Sequence, residues 1–335
     1  MIAAVLGGPR ALTIRSRPEL VPGPGEAVIR VRAAGLCGTD YRIWSGDRLV
    51  GYPLVMGHEF VGTVLAAGPG VEGLPVGVRV AVEPNYSCGD CPLCREGNRN
   101  LCLSRTTVGI DVDGGFAEHA RVPARCCWAA PPGIPDEALM MTEPLAVVVR
   151  AARRGQPEAG ESAAVLGVGS LGLLAIQVLK ARGLRVLAVA RSAKRLALAQ
   201  ELGADAVTSA SAGEAVVALA REFSGREGVD LVIETAGTAP AVEHAVQLSR
   251  PGGRIVLTGL PHEPTTLDFF WVVRRELRIL GSMIYQDEFP EAMRLLATGA
   301  VRVDRLLTHR FPLDAIEDAF QAHRSPDSIK VGLTI

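Results

Sequence analysis

The first part of the chain, to about residue 145, carries short runs in which apolar and polar residues alternate. Ala27 to Arg32 and Phe60 to Leu65 are examples, and glycines and prolines separate such runs. This pattern predicts short strands joined by tight turns. Glu143 to Arg154 then reads as a helix that stops at Gly155. From Glu161 the pattern changes. Apolar strands are predicted at Ser162–Leu166, Arg185–Ala190, Asp205–Thr208, Val229–Glu234, Arg254–Thr258 and Leu277–Leu280. Helical stretches fall between them, among them Leu171–Arg182 and Ala193–Leu202. Strands alternating with helices of this length imply a parallel, doubly wound sheet. From about Gln286 the tail reads as two helices and a last strand, Ile329–Thr334. It has no nucleotide-fold pattern of its own and is expected to rejoin the first domain. The class is therefore α/β. Residues 1–145 and 286–335 form a β-rich domain into which a nucleotide-type domain, 146–285, is inserted.

Composition narrows the function classes. The chain has 335 residues, 48% hydrophobic and 21% charged, with a formal net charge of −1. The balance argues against a nucleic-acid or membrane-surface partner. No apolar run approaches the roughly 20 residues that cross a bilayer. The first ten residues show no basic region followed by a cleavage pattern, so the expected compartment is the cytoplasm. Seven cysteines there suggest metal or catalysis before disulfides. Lys180, Lys194 and Lys330 are the only lysines in an arginine-rich chain. Thermal adaptation and GC-rich codon usage both account for that bias.

Cys88, Cys91, Cys94 and Cys102 are spaced C-x2-C-x2-C-x7-C. Four thiolates suit a closed tetrahedral zinc site, and two-residue gaps let a tight turn aim successive sulfurs at one point. Gly89, Asp90, Pro92 and Gly97 between them favour turns.

Gly167, Gly169 and Gly172 form G-x-G-x-x-G directly after a predicted strand and at the start of a predicted helix. In that context the first glycine makes the turn, the second admits a pyrophosphate and the third lets helix and strand pack closely. Backbone N–H groups at the helix start, around Ser170 and Leu171, face the phosphates. NAD sites place an acidic residue at the end of the next strand, but residues 173–200 contain none. The strand ends at Ala190. Arg191, Ser192 and Arg195 follow it, a set suited to a 2′-phosphate. NADP(H) is the expected preference.

A second metal site is scattered along the chain. Cys37 in G-L-C-G-T-D, His58 and Glu59 in G-H-E, and Glu143 before Pro144 supply the mixed donors of open catalytic zinc sites. Cys126 and Cys127 are adjacent and lack a spaced partner. The remaining histidines, 119, 244, 262, 309 and 323, show no ligand spacing.

Taken together, glycine-flanked Cys37, G-H-E, the four-cysteine lobe and the inserted glycine motif resemble the zinc-containing medium-chain dehydrogenase/reductase family. Glu143 in E-P-L and Glu59 after His58 resemble its polyol and threonine dehydrogenase branch. The resemblance covers the whole chain. It implies a chaperonin-10-like catalytic domain, a Rossmann domain and a cleft between them. It also implies two zinc ions: one catalytic, held by Cys37, His58 and either Glu59 or Glu143, and one structural, held by the cysteine lobe. In such enzymes zinc acts as a Lewis acid that lowers the alcohol pKa, and hydride passes from the carbinol carbon to C4 of the nicotinamide. Thr39 resembles the hydroxyl that relays the proton, and Asp40 orients the zinc ligands. Arg42 stands where many relatives have histidine, and Ile43 where sorbitol dehydrogenases have a tyrosine. Tyr41, Trp44, Phe116 and Arg275 are weaker candidates for the pocket wall.

The implied activity is NADP(H)-linked interconversion of a secondary alcohol, polyol or sugar-like, and a ketone. L-Threonine and aldoses are the rival substrates. A non-catalytic NADP-binding protein on the same fold is the rival class. The family usually pairs through the edge strand of the nucleotide sheet, here Leu277–Leu280, implying a homodimer or homotetramer.

Overall fold

Alternation of inward Ile29 and Val31 with outward Arg30 and Arg32 makes the longest strand of the first part a sheet element with one buried face. The computed structural model describes residues 1–261 and 263–335, so His262 lies outside the described residues. The strands in chain order begin with β1 (Ile2–Leu6), β2 (Leu12–Ser16), β3 (Glu26–Leu36), β4 (Leu54–Val55) and β5 (Glu59–Ala67). Next come β6 (Arg79–Val82), β7 (Asn85–Tyr86), β8 (Thr106–Thr107), β9 (His119–Pro123) and β10 (Cys127–Ala129). The parallel set is β11 (Ser162–Leu166), β12 (Arg185–Ala190), β13 (Ala206–Ser209), β14 (Val229–Glu234), β15 (Ser249–Leu257) and β16 (Arg278–Gly281). The chain closes with β17 (Leu307–Pro312) and β18 (Lys330–Thr334).

Two units result. The first comprises residues 1–143, 289–297 and 303–335, and the second comprises 144–288 and 298–302. The main sheet of the first unit runs β10-β6-β5-β3-β18-β17, with β9 also on β3. The C-terminal strand joins it antiparallel, Val331 opposite Leu36. Its core includes Leu36, Met56, Phe60, Phe116 and Phe320.

Short helices at Pro92–Arg95 and Asp136–Leu139, and the placement of residues 298–302 in the second unit, depart from the sequence reading, as do two larger features. A helix, Gly38–Ser45, interrupts the all-β stretch, because Asp40 at its third position accepts the Cys37 N–H and caps it. Strand β17 was not anticipated: Leu307–Pro312 alternates too weakly, with His309 and Arg310 inside it. It becomes a strand by pairing in parallel with β18 across the helix Ile316–His323.

The second unit is a six-stranded parallel sheet in the order β13-β12-β11-β14-β15-β16. Strand order reverses between β11 and β14, where doubly wound folds open a crevice at the carboxyl ends of the strands. Strand β15 begins five residues earlier than Arg254, at Ser249, through a register shift against β14. Among the described residues no helix is long and apolar enough to cross a membrane.

Candidate metal and dinucleotide sites

In the first unit, strand pairing brings scattered residues together. Gly35 of β3 faces Glu59 of β5, and Cys37 follows two residues after Gly35. His58 precedes β5 in a turn where Gly57 has φ +96° and lies so close to Phe116 that a Cβ would be 2.4 Å from its ring. Ligand atoms of Cys37, His58 and Glu59 all lie within 4.8 Å of one another. Asp40 is buried beneath them: one carboxylate oxygen accepts the Cys37 N–H at 2.9 Å, and the other lies 3.1 Å from His58 Nδ1. With Nδ1 engaged, Nε2 is the ring atom left for a metal.

Lys330 of β18, fully buried, contacts Glu59 Oε2 from the other side of β3. Beyond this ion pair, Glu59 Oε2 has no hydrogen-bond partner among the described residues, which leaves it acceptor capacity. Burial disfavours the Lys330 ammonium, but Glu59, Cys37 and Glu143 outweigh it and raise its pKa. Burial likewise opposes charge on His58, yet Asp40 and Cys37 hold its pKa well above the ordinary imidazole value. Sulfur, nitrogen and an under-satisfied carboxylate are the donor set of an open zinc site, so these residues fit the metal.

Glu143 is buried in the first turn of the helix Thr142–Gly155 but lies outside the mutual 4.8 Å group. Thr39 is half-buried in the first turn after Cys37. The aromatic candidates for a pocket wall fare differently. Trp44 and Phe116 are buried and pack against Phe320 of the 316–323 helix, and Gly57 lies close against the Phe116 ring. Tyr41 stacks on His323 at 5.9 Å. Arg275 donates to backbone oxygens of Gln247 and Ser249 and so braces the second unit. The sequence marks Lys330 only as one of three lysines and His323 only as a histidine without ligand spacing, so it assigns neither to a site. The rarity of lysine in this chain was the available signal for the first.

The four-cysteine lobe is preassembled. Its sulfurs lie 3.5 Å (Cys91–Cys94 and Cys88–Cys102), 3.9 Å (Cys88–Cys94) and 4.0 Å (Cys91–Cys102) apart. A tetrahedron with Zn–S bonds of about 2.3 Å has edges of about 3.8 Å. All four thiols are free. Backbone N–H groups of Leu103 and Cys94 push the Cys91 thiol down to about 6, favouring the thiolate a metal needs. Gly89 and Gly97, at φ +80° and +86°, make the turns. Cys126 is buried, and burial pushes both it and Cys127 up to about 12, as expected of inert structural thiols.

In the second unit, Gly167 follows β11 at φ +87°, and the helix Ser170–Ala181 starts with Gly169 as its cap. A Cβ at Gly172 would lie 1.9 Å from the Gly167 oxygen, so only glycine fits where helix and turn touch. A Cβ at Gly169 would meet nothing within 4 Å among the described residues, which leaves backbone open to a ligand. Strand β12 ends at Ala190. Ser192 then caps the helix Ala193–Glu201 by accepting the Arg195 N–H at 3.4 Å, and Arg191 is exposed.

A β-rich unit with a mixed sulfur, nitrogen and carboxylate cluster and a cysteine lobe, joined in one chain to a Rossmann-type unit, defines a zinc-type alcohol dehydrogenase architecture. Residues 23–132 match the alcohol dehydrogenase GroES-like domain, and residues 170–298 match the zinc-binding dehydrogenase domain. The chain is 38% identical to L-threonine 3-dehydrogenase of Pyrococcus horikoshii, over 92% of this chain and 91% of that one. It is 34% identical to human sorbitol dehydrogenase over 99% and 95%. A solved structure from Sinorhizobium meliloti 1021, described as a zinc-binding dehydrogenase bound to NADP, superposes with TM-score 0.95 at 35% identity, covering 100% of this chain and 99% of that one. The chain belongs to the zinc-containing medium-chain dehydrogenase/reductase family of alcohol dehydrogenases and is an oxidoreductase.

Proposed function

We propose that this enzyme interconverts a secondary alcohol of polyol or sugar-like type and the corresponding ketone, with NADP(H) preferred. The observation that carries the reading is the convergence of Cys37, His58 and Glu59 on one point, braced by Asp40. Zinc bound there would supply Lewis-acid polarisation of the substrate oxygen, and a bound nicotinamide would supply the hydride acceptor or donor. Cys37 and His58 hold the metal, and Glu59 offers the nearest carboxylate. Glu143, buried but outside this group, would serve as an alternative carboxylate for the metal. Asp40 fixes the imidazole orientation, and the Thr39 hydroxyl takes the substrate proton outward. The cysteine lobe holds a second, structural zinc, giving two ions per chain.

The cofactor preference rests on Ala190 and on Arg191, Ser192 and Arg195 after it, where an NAD site would place an acid. Gly167, Gly169, Ser170, Leu171 and Gly172 cradle the pyrophosphate. Two copies or four assemble through β16, an edge strand preceded by a helix with exposed Phe269, Phe270 and Val273.

A panel of polyols, diols, threonine, aldoses and simple secondary alcohols, run with NADP and then NAD, tests the reading. Turnover of polyols with NADP supports it. Threonine as the best substrate would move the enzyme to the threonine branch. Full activity in Cys37→Ala would overturn the metal assignment, whereas NADPH binding by the wild type without turnover of any alcohol in the panel would favour a non-catalytic NADP-binding role for the fold.

A further inference from the structure

At the carboxyl end of β14, the fully buried Glu234 does two things at once. Its side-chain Oε1 accepts the N–H groups of Ala236 at 2.6 Å and Gly237 at 2.8 Å. Its backbone oxygen accepts those of Thr258 at 2.9 Å and Gly259 at 3.0 Å. One residue thereby ties the turn after β14 to the turn after β15. The fit is close: a Cβ at Gly259 would be 2.2 Å from the Gly237 nitrogen and 2.8 Å from Glu234 Oε2.

The turn shaped in this way lies against the glycine motif. Thr235 Oγ1 donates to the Gly167 oxygen at 2.7 Å, and the Thr235 N–H bonds the Leu166 oxygen at 2.9 Å. A Cβ at Gly167 would meet Ala236 Cβ at 2.8 Å, and one at Gly172 would lie 3.2 Å from Thr235 Oγ1. Strands β11, β14 and β15 are consecutive neighbours beside the point where strand order reverses. Residues 235–237 are therefore the surface against which Gly167 is set, and Glu234 holds their conformation.

A buried carboxyl is costly, and here burial raises its pKa against the opposing effect of the two N–H groups. Among the described residues Oε2 has no hydrogen-bond partner. No apolar side chain could accept two N–H groups from one turn, which accounts for a side-chain oxygen acceptor at this position.

We infer that Glu234 is a positioning residue for the dinucleotide. By holding the Ala236 and Gly237 N–H groups it seats residues 235–237 on Gly167 and keeps the glycine turn in the shape that receives a pyrophosphate. This rests on the dinucleotide reading above and adds a residue outside the glycine motif to it.

The test uses the full-length, zinc-loaded enzyme and three variants: Glu234→Leu, Glu234→Gln and Thr235→Val. NADPH binding is followed by fluorescence titration, and cofactor and alcohol KM are measured separately. Glu234→Leu should weaken NADPH binding about tenfold, the scale of losing buried hydrogen bonds. Zinc content and alcohol KM at saturating cofactor should stay unchanged. Glu234→Gln, whose amide oxygen accepts the same two N–H groups, should return affinity to within about twofold. Thr235→Val should shift affinity in the same direction as Glu234→Leu. If Glu234→Leu does not fold, the other two variants carry the test. Unchanged NADPH affinity in Glu234→Leu and Thr235→Val overturns the inference, as does a Glu234→Gln enzyme as weak as Glu234→Leu. A wild-type enzyme that binds neither NADPH nor NADH would instead overturn the dinucleotide reading itself.

Discussion

Lys330 and Glu59 form a buried ion pair across Gly35, beside the residues that gather at Cys37 and His58. Strand register explains it. Gly35 of β3 faces Glu59 on one side and Gly332 of β18 on the other, so both charged side chains converge over the middle strand. A Cβ at Gly35 would lie 2.5 Å from Glu59 Oε2 and 2.9 Å from Lys330 Cε. The glycine provides the space in which the pair forms.

Breaking this pair leaves a buried charge without compensation. Lys330→Met should therefore destabilise the metal-free protein, where no zinc compensates Glu59, by about 3–5 kcal/mol in denaturant unfolding. Lys330→Met combined with Glu59→Gln should cost clearly less than the sum of the single changes. Additive losses would show that the pair is not coupled.

The cysteine lobe answers to a different substitution. Cys88→Ser should release one zinc equivalent and lower the melting temperature, while hydride transfer at moderate temperature changes little. Metal analysis beside a thermal scan checks this. Unchanged stability with lost turnover would reverse the assignment of the two metal sites.

Cofactor choice should follow the end of β12. Ala190→Asp places a carboxylate where a 2′-phosphate would sit and a ribose hydroxyl would be welcomed. The ratio of kcat/KM with NADP to that with NAD should fall by about tenfold or more, one misplaced charge being worth at least 1.4 kcal/mol. Steady-state kinetics with both cofactors gives the answer directly.

Asp230 sets an acid limit on the second unit. Burial opposes its charge, but Arg250 at 2.6 Å and the Ser162 N–H and hydroxyl at 2.9 and 2.7 Å pull its pKa down to about 2. The folded pKa lies below the unfolded value, so the stabilisation is complete above about pH 4 and is lost as pH falls towards 2. Asp230→Asn should therefore be less stable than wild type at pH 7, and the gap should close near pH 2. Urea melts across that range measure it. A constant gap would mean that the ionised carboxylate contributes nothing.

Much of this was legible in the chain itself. The alternation of Ser162–Leu166, Arg185–Ala190 and Val229–Glu234 with helices is a local pattern, and these strands fall at those bounds. The four cysteines lie within fifteen residues, so their meeting is nearly dictated by turn chemistry. The helix after Cys37 was missed because its start depends on one capping carboxylate within an otherwise strand-like stretch.

Local pattern by itself determined the two-part α/β organisation, the glycine turn, the cysteine lobe and the absence of an acid after β12, because each is written in adjacent residues. Tertiary structure alone decided which distant groups meet. Lys330 reaches Glu59 only because the last strand pairs with β3, some three hundred residues earlier in the chain. The same packing groups Glu59, and not Glu143, with Cys37 and His58, and it sets Glu234 behind Gly167. Such contacts depend on strand order and register, which cooperative packing of the whole sheet fixes and no short segment encodes.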